Sequence, residues 1–179
     1  MKSWFLSKKE SGFTMLEMIV AVFILQVAIV GCYVAFSQII STTMIISSRL
    51  TAAYLAQEGI EIARNIRDTK WVKGESWDSI ASYFDSKTCA TGCEFDYTVA
   101  TQGANPITSF KFYNSADYLK IDSNGFYSYQ PGNDTKFTRK MTITHTSDTL
   151  TVLAEVMWAD KGALHTFSAK EILYNWLSS

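Results

Sequence analysis

Gly12, Phe13 and Glu17 are the residues whose types and spacing point to chemistry. Glu17 opens a long apolar run, and no charged residue follows it until Arg49. A carboxylate inside a membrane-spanning segment costs about 2.5–3.5 kcal/mol on insertion scales and is rarely found there without a partner. A cut between Gly12 and Phe13 would supply one. It would free an α-amine one helical turn before Glu17, and an α-amine with a pKa of about 7.7–8.0 is mostly cationic near neutral pH. Glu17 would also lie near the positive end of the helix dipole, which favours an acid.

The segment that must position this pair is the apolar run itself. From Phe13 to Phe36 it would rise about 36 Å as a helix, against a bilayer core of about 30 Å. Lys2, Lys8 and Lys9 precede it against a single acid, Glu10, which holds the leader on the cytoplasmic side by the positive-inside rule. An ordinary secretory signal has a shorter apolar region closed by small residues, and no such pattern closes this one. An uncut signal anchor explains the span and the basic flank, but neither Gly12-Phe13 nor Glu17.

Lys8-Lys9-Glu10-Ser11-Gly12-Phe13-Thr14-Met15-Leu16-Glu17 resembles the leader and cleavage motif of the type IV prepilin family. Met15 stands where that family usually has Leu. The resemblance implies cleavage after Gly12 by prepilin peptidase and N-methylation of Phe13. It further implies that Glu17 pairs with the amino terminus of a neighbouring subunit during assembly.

Beyond the span, Leu50–Asp68 is amphipathic. Ala52/Ala53, Leu55/Ala56, Gly59/Ile60, Ile62/Ala63 and Ile66 form an apolar stripe, with Gln57/Glu58, Glu61, Arg64/Asn65 and Asp68 opposite. Glu61 with Arg64, and Arg64 with Asp68, are spaced to pair on the wet face. No proline interrupts Phe13 to Asp68, so one long helix is expected, its second half burying one face against a domain. The residues from Ala56 to Asp68 resemble those of PilV-type minor pilins, close kin of the I-type minor pseudopilins of type II secretion.

The remainder reads as a connector with a short helix over Trp77–Phe84, then strands. Period-2 alternation predicts a strand around Phe95, Tyr97 and Val99, and a further one over Phe110–Tyr113. Tyr118–Asp122 and Phe126–Tyr129 flank Ser123-Asn124-Gly125 as a hairpin, and Pro131–Asp134 reads as a loop. Three longer strands follow, Lys136–Thr146, Thr149–Trp158 and Ala163–Trp176, with a tight turn at Asp160-Lys161-Gly162. The span Phe137–Trp176 resembles the C-terminal sheet of the same minor-pilin group. The expected fold class is therefore α+β, a long N-terminal helix packed on a C-terminal antiparallel sheet. Its expected parts are leader 1–12, spanning helix 13–36, amphipathic continuation 37–68 and an extracytoplasmic head 69–179.

Cys89 and Cys93 bracket Ala90-Thr91-Gly92 and can form a disulfide if the head lies outside the cytoplasm. Free thiols are the alternative. A metal site would need more ligands, and neither histidine is close in sequence. Cys32 lies in the apolar run as a small residue. Net charge is −1, unlike a dedicated nucleic-acid binder, although Lys111, Lys120, Lys136, Arg139 and Lys140 could form a local basic patch. No nucleotide, hydrolase or zinc-protease motif is present. His145 and His165 have no nucleophile beside them in sequence, so no catalytic residue, metal or cofactor is expected. Trp71, Trp77, Trp158 and Trp176 are expected to pack the core and the connector.

The resemblance implies a non-enzymatic structural subunit, a minor pilin anchored singly in the cytoplasmic (inner) membrane and then carried to the cell surface in a filament. Its implied partners are prepilin peptidase, other pilins or pseudopilins, the pilus assembly platform and the membrane. The alternatives are a pseudopilin of type II secretion or DNA uptake, and an anchored adhesive or DNA-binding module.

Overall fold

A computed structural model describes residues 12–86, 89–98 and 110–176. The chain falls into two compact units, Met1–Met44 and Ile45–Ser179. Helix α1 runs from Met15 to Val72 without interruption, so one long helix forms, ending one turn past the expected Asp68. In the first unit it is long and apolar enough to cross a membrane, and its side chains are exposed from Met15 to Ile40.

In the second unit the buried side of α1 is Ser48, Ala52, Leu55, Ala56, Gly59, Ile60, Ile62, Ala63, Ile66 and Arg67. Ser48, Ala52, Leu55, Gly59, Ile62 and Ile66 follow in alternating steps of four and three, the spacing of one helical face, and the others flank them. Small residues dominate its middle, so the helix axis can approach the sheet closely. Gly59 marks the nearest point: a Cβ there would lie 2.7 Å from Met141 Sδ and 3.3 Å from Arg139 Cδ. The helix stops at Gly74, whose φ of 78° suits glycine. Gly74 N–H donates to the Trp71 carbonyl at 2.8 Å and Glu75 N–H to that of Lys70 at 3.1 Å, the bond pair of a Schellman cap. Helix α2 follows over Trp77–Ser86, as the sequence predicts.

The main sheet is antiparallel. Its strands are β1 (Cys93–Glu94), β2 (Lys111–Phe112), β6 (Phe137–His145), β7 (Thr149–Asp160) and β8 (Ala163–Tyr174), in the order β2-β1-β6-β7-β8. On β7 the residues Leu150, Val152, Ala154, Val156 and Trp158 are all buried, the alternation expected of a strand with one face on the core. Register places Trp158 beside Phe137 and Ala154 beside Met141. Lys161 and Gly162 both have positive φ, 50° and 81°, which makes the two-residue β7–β8 connection a type I′ turn.

A second, three-stranded sheet has the order β4-β3-β5, from β3 (Lys120–Ile121), β4 (Tyr127–Ser128) and β5 (Asn133–Asp134). The predicted hairpin is β3–β4. The stretch expected as a loop at Pro131–Asp134 instead supplies β5, which pairs with β3. A Cβ on Gly132 would lie 2.7 Å from the Ile121 carbonyl oxygen, so glycine permits that approach. The strand expected through Phe95 and Tyr97 does not form. Strand β1 ends at Glu94, and Val99 lies outside the described residues. The cause is Asp96: its Oδ1 accepts from Thr98 N–H at 3.0 Å and its Oδ2 from Tyr129 N–H at 2.7 Å. That carboxylate turns the backbone out of the ladder and ties it to the end of β4.

Candidate functional site

At the N-terminal junction, Gly12, Phe13 and Thr14 are not helical and α1 begins at Met15. Thr14 is the helix cap. Its Oγ1 accepts from Glu17 N–H at 3.3 Å, and its carbonyl accepts from Met18 N–H at 3.2 Å. Glu17 therefore stands at the third helical position, where an acid meets the unpaired amides and the positive end of the dipole. Phe13 is 78 % exposed, and a side chain at Gly12 would meet nothing within 4 Å. The junction is thus open and outside the helix, with the acid one turn beyond it. The leader residues 1–11 lie outside the described residues.

The apolar side chains that follow, from Met15 through Phe36, have no cover. Full burial of each Val, Leu, Ile or Phe gains about 1.5–3 kcal/mol, so this surface demands lipid or other helices. Gln26, Gly31 and the free Cys32 share its exposure.

In the head, the residues of the two stretches quoted above meet at Arg139. Its side chain is fully buried. The guanidinium donates to the carbonyls of Leu55 at 2.9 Å and Phe95 at 2.7 Å and lies 3.4 Å from the Glu58 carboxylate. One charge thus joins α1, β6 and the chain after β1. Arg139 is therefore not part of a surface patch. In the strand's alternation it takes the inward place between Phe137 and Met141, a signal that the sequence does carry. Of the other lysines proposed for that patch, Lys111 lies 3.4 Å from Asp117, Lys120 3.7 Å from Asp134 and Lys136 3.7 Å from Asp160. Arg64 pairs with Glu61 at 2.6 Å and with Glu171 of β8, not with Asp68. Asp68 accepts from its neighbour Arg67 at 2.8 Å.

Glu94 was not singled out by the sequence. It is 1 % exposed, with Oε1 accepting from Asn114 N–H at 2.7 Å and Oε2 lacking a hydrogen-bond partner. Burial, reinforced by Asp117, pushes its carboxyl up to about 7 against the opposing pull of the Asn114 amide and Lys111.

Cys89 and Cys93 are joined by a disulfide and are fully buried. The Cys89 carbonyl accepts from Ile143 N–H at 2.9 Å, so the small loop is fastened to β6. His145 Nε2 is 2.8 Å from Asp85, and His165 stacks on Trp158 at 5.4 Å. Neither has a nucleophile among its described contacts, and no group of three or more metal-ligating side chains occurs among the described residues. Trp71 contacts Trp77 and Trp176 at 5.8 and 5.3 Å, with Arg67 over the Trp71 ring at 4.7 Å. Trp77 and Trp158 thus pack in the core and Trp71 against it, as expected, whereas Trp176, although it touches Trp71, is 69 % exposed.

Residues 7–33 match the family model of the prokaryotic N-terminal methylation motif, a type IV prepilin-like signal. No curated protein and no solved structure matches the chain. The motif supports a type IV pilin-like or pseudopilin protein and implies processing by prepilin peptidase and association with pilins generally. Together with the long apolar helix it points to a membrane-anchored chain.

Proposed function

We propose that this chain is a minor type IV pilin of the PilV type, a filament subunit rather than an enzyme. The observation that carries the reading is the junction: an exposed, non-helical Gly12–Phe13 peptide, Glu17 in the first turn of α1, and an uncovered apolar helix behind them. The leader stays on the cytoplasmic side while Phe13–Phe36 spans the membrane. Cleavage after Gly12 frees the Phe13 amine, which is then methylated. Burial of the apolar helices holds subunits together, and Glu17 aligns each subunit on the amine of its neighbour. A head-to-tail contact of this kind need not close, which suits helical growth. The minor, PilV-type assignment draws its support from Ala56–Asp68 and Phe137–Trp176, whose Glu58 and Gly59 pack on Arg139 and Met141.

Intact mass and N-terminal sequencing of the protein from its own membranes test the reading. A start at N-methyl-Phe13 is expected; a start at Met1, or past Phe36, sinks it. Glu17→Ala is expected to be cleaved normally but to enter filaments poorly, and wild-type incorporation would remove Glu17 from the mechanism.

A further inference from the structure

We infer that Thr14 is a positioning residue for the cut at Gly12–Phe13: its hydroxyl fixes the start of α1 and keeps the scissile peptide out of the helix. The inference rests on the processing proposed above. In hydrolysis the Gly12 carbonyl carbon is attacked by water, the bond to the Phe13 nitrogen breaks, the hydroxyl goes to Gly12 and the proton to the new amine. Attack requires that carbonyl to be accessible and free of the helical ladder.

The structure meets that requirement through the cap. The first helical hydrogen bond runs from Met18 N–H to the Thr14 carbonyl, two residues beyond the carbonyl that must be attacked. Thr14 Oγ1 satisfies Glu17 N–H, an amide that otherwise lacks a partner at a helix start. The sequence holds competing starts just upstream. Ser11 and Gly12 are both residue types that cap helices, and serine ranks above threonine. With the Thr14 hydroxyl gone, a start at Gly12 or Ser11 gains population. The Gly12 carbonyl would then accept from Leu16 N–H, and the scissile peptide would become part of the first turn. Thr14 thus sets which of three nearby caps is used, and only its own choice leaves the junction outside the helix.

The test is a capping series in the full-length chain in membranes, with purified prepilin peptidase and cleavage followed by mass. Thr14→Val keeps the shape of threonine without an acceptor; Thr14→Ser and Thr14→Asn keep an acceptor with other shapes. The expected result is slower cleavage for Thr14→Val, by at most the about fivefold that a typical cap is worth, and rates near wild type for Thr14→Ser and Thr14→Asn. Amide hydrogen exchange at Leu16 reports the helix start directly, and is expected to slow in Thr14→Val alone. Wild-type cleavage of Thr14→Val, or equal slowing in all three variants, overturns the inference while leaving the processing intact. A wild-type chain that the peptidase does not cut overturns both.

Discussion

Replacing Arg139 by methionine should unfold the head far more readily, whereas neutralising its acid partner should hardly matter. The guanidinium is fully buried and donates to two backbone carbonyls, at 2.9 and 2.7 Å. Hydrogen bonds from a charged group contribute about 1.5–3 kcal/mol each. The Leu55 carbonyl lies within α1 and belongs to the helix ladder, so it loses less than the Phe95 carbonyl does. Methionine recovers part of the packing of the arginine stem. The expected net cost of Arg139→Met is therefore about 3 kcal/mol. Glu58 differs. Its carboxylate stands 3.4 Å from the guanidinium with its side chain one-third exposed, and burial raises its pKa despite the opposing effect of Arg139. The charge is thus not favourably placed on balance, and Glu58→Gln should change stability by less than about 1 kcal/mol. Urea unfolding of the detergent-solubilised full chain, followed by near-ultraviolet circular dichroism from the buried Trp158, measures both. A loss below about 1 kcal/mol for Arg139→Met would refute the claim that this side chain locks helix to sheet. So would equal losses for the two variants, which would make the ion pair, not the carbonyl bonds, the source of the stability.

Glu94 should give the head a pH dependence of known sign. Its carboxyl rises from the ordinary 4.5 to about 7 on folding, so between those values the folded state holds the proton more tightly than the unfolded chain. This contribution is fully present below the unfolded value, falls as pH rises through the folded one and is then flat. Glu94→Gln should flatten that part of the stability–pH profile, and a profile that keeps its slope in the variant would assign it elsewhere. Replacing Cys89 and Cys93 together by serine should lower stability by about 2 kcal/mol, the chain-entropy value for so small a loop, read as a lower urea midpoint at unchanged slope. No shift would mean that the packing of residues 89–93 on β6 holds without the bond.

The sequence alone determined the elements whose signal is local. A charge-free run, an acid at fixed distance from Gly12-Phe13 and the absence of proline were enough to predict one long helix. Alternation of buried residues gave the three long strands, and Lys161-Gly162 the turn between β7 and β8, because each pattern repeats within a single element. Of the short strands, β2 and the β3–β4 hairpin were read from an aromatic run and from the Asn124-Gly125 turn, whereas β1 and β5 escaped for the opposite reason. Strands β1 to β5 are two residues each, too short for a period, and Asp96 ended a good alternation by bonding to Tyr129, distant in sequence. Arg64 likewise chose Glu171 over Asp68 because β8 lies beside α1, which no spacing along the helix reveals. The alternation of β6 already turns Arg139 inward, but only tertiary structure brings the Leu55 and Phe95 carbonyls to it and makes it the bond between helix and sheet. Tertiary structure also decided that Glu94 is buried with one oxygen unpartnered. A charge is legible in sequence as a charge, but whether water or protein surrounds it depends on which distant segments close over it.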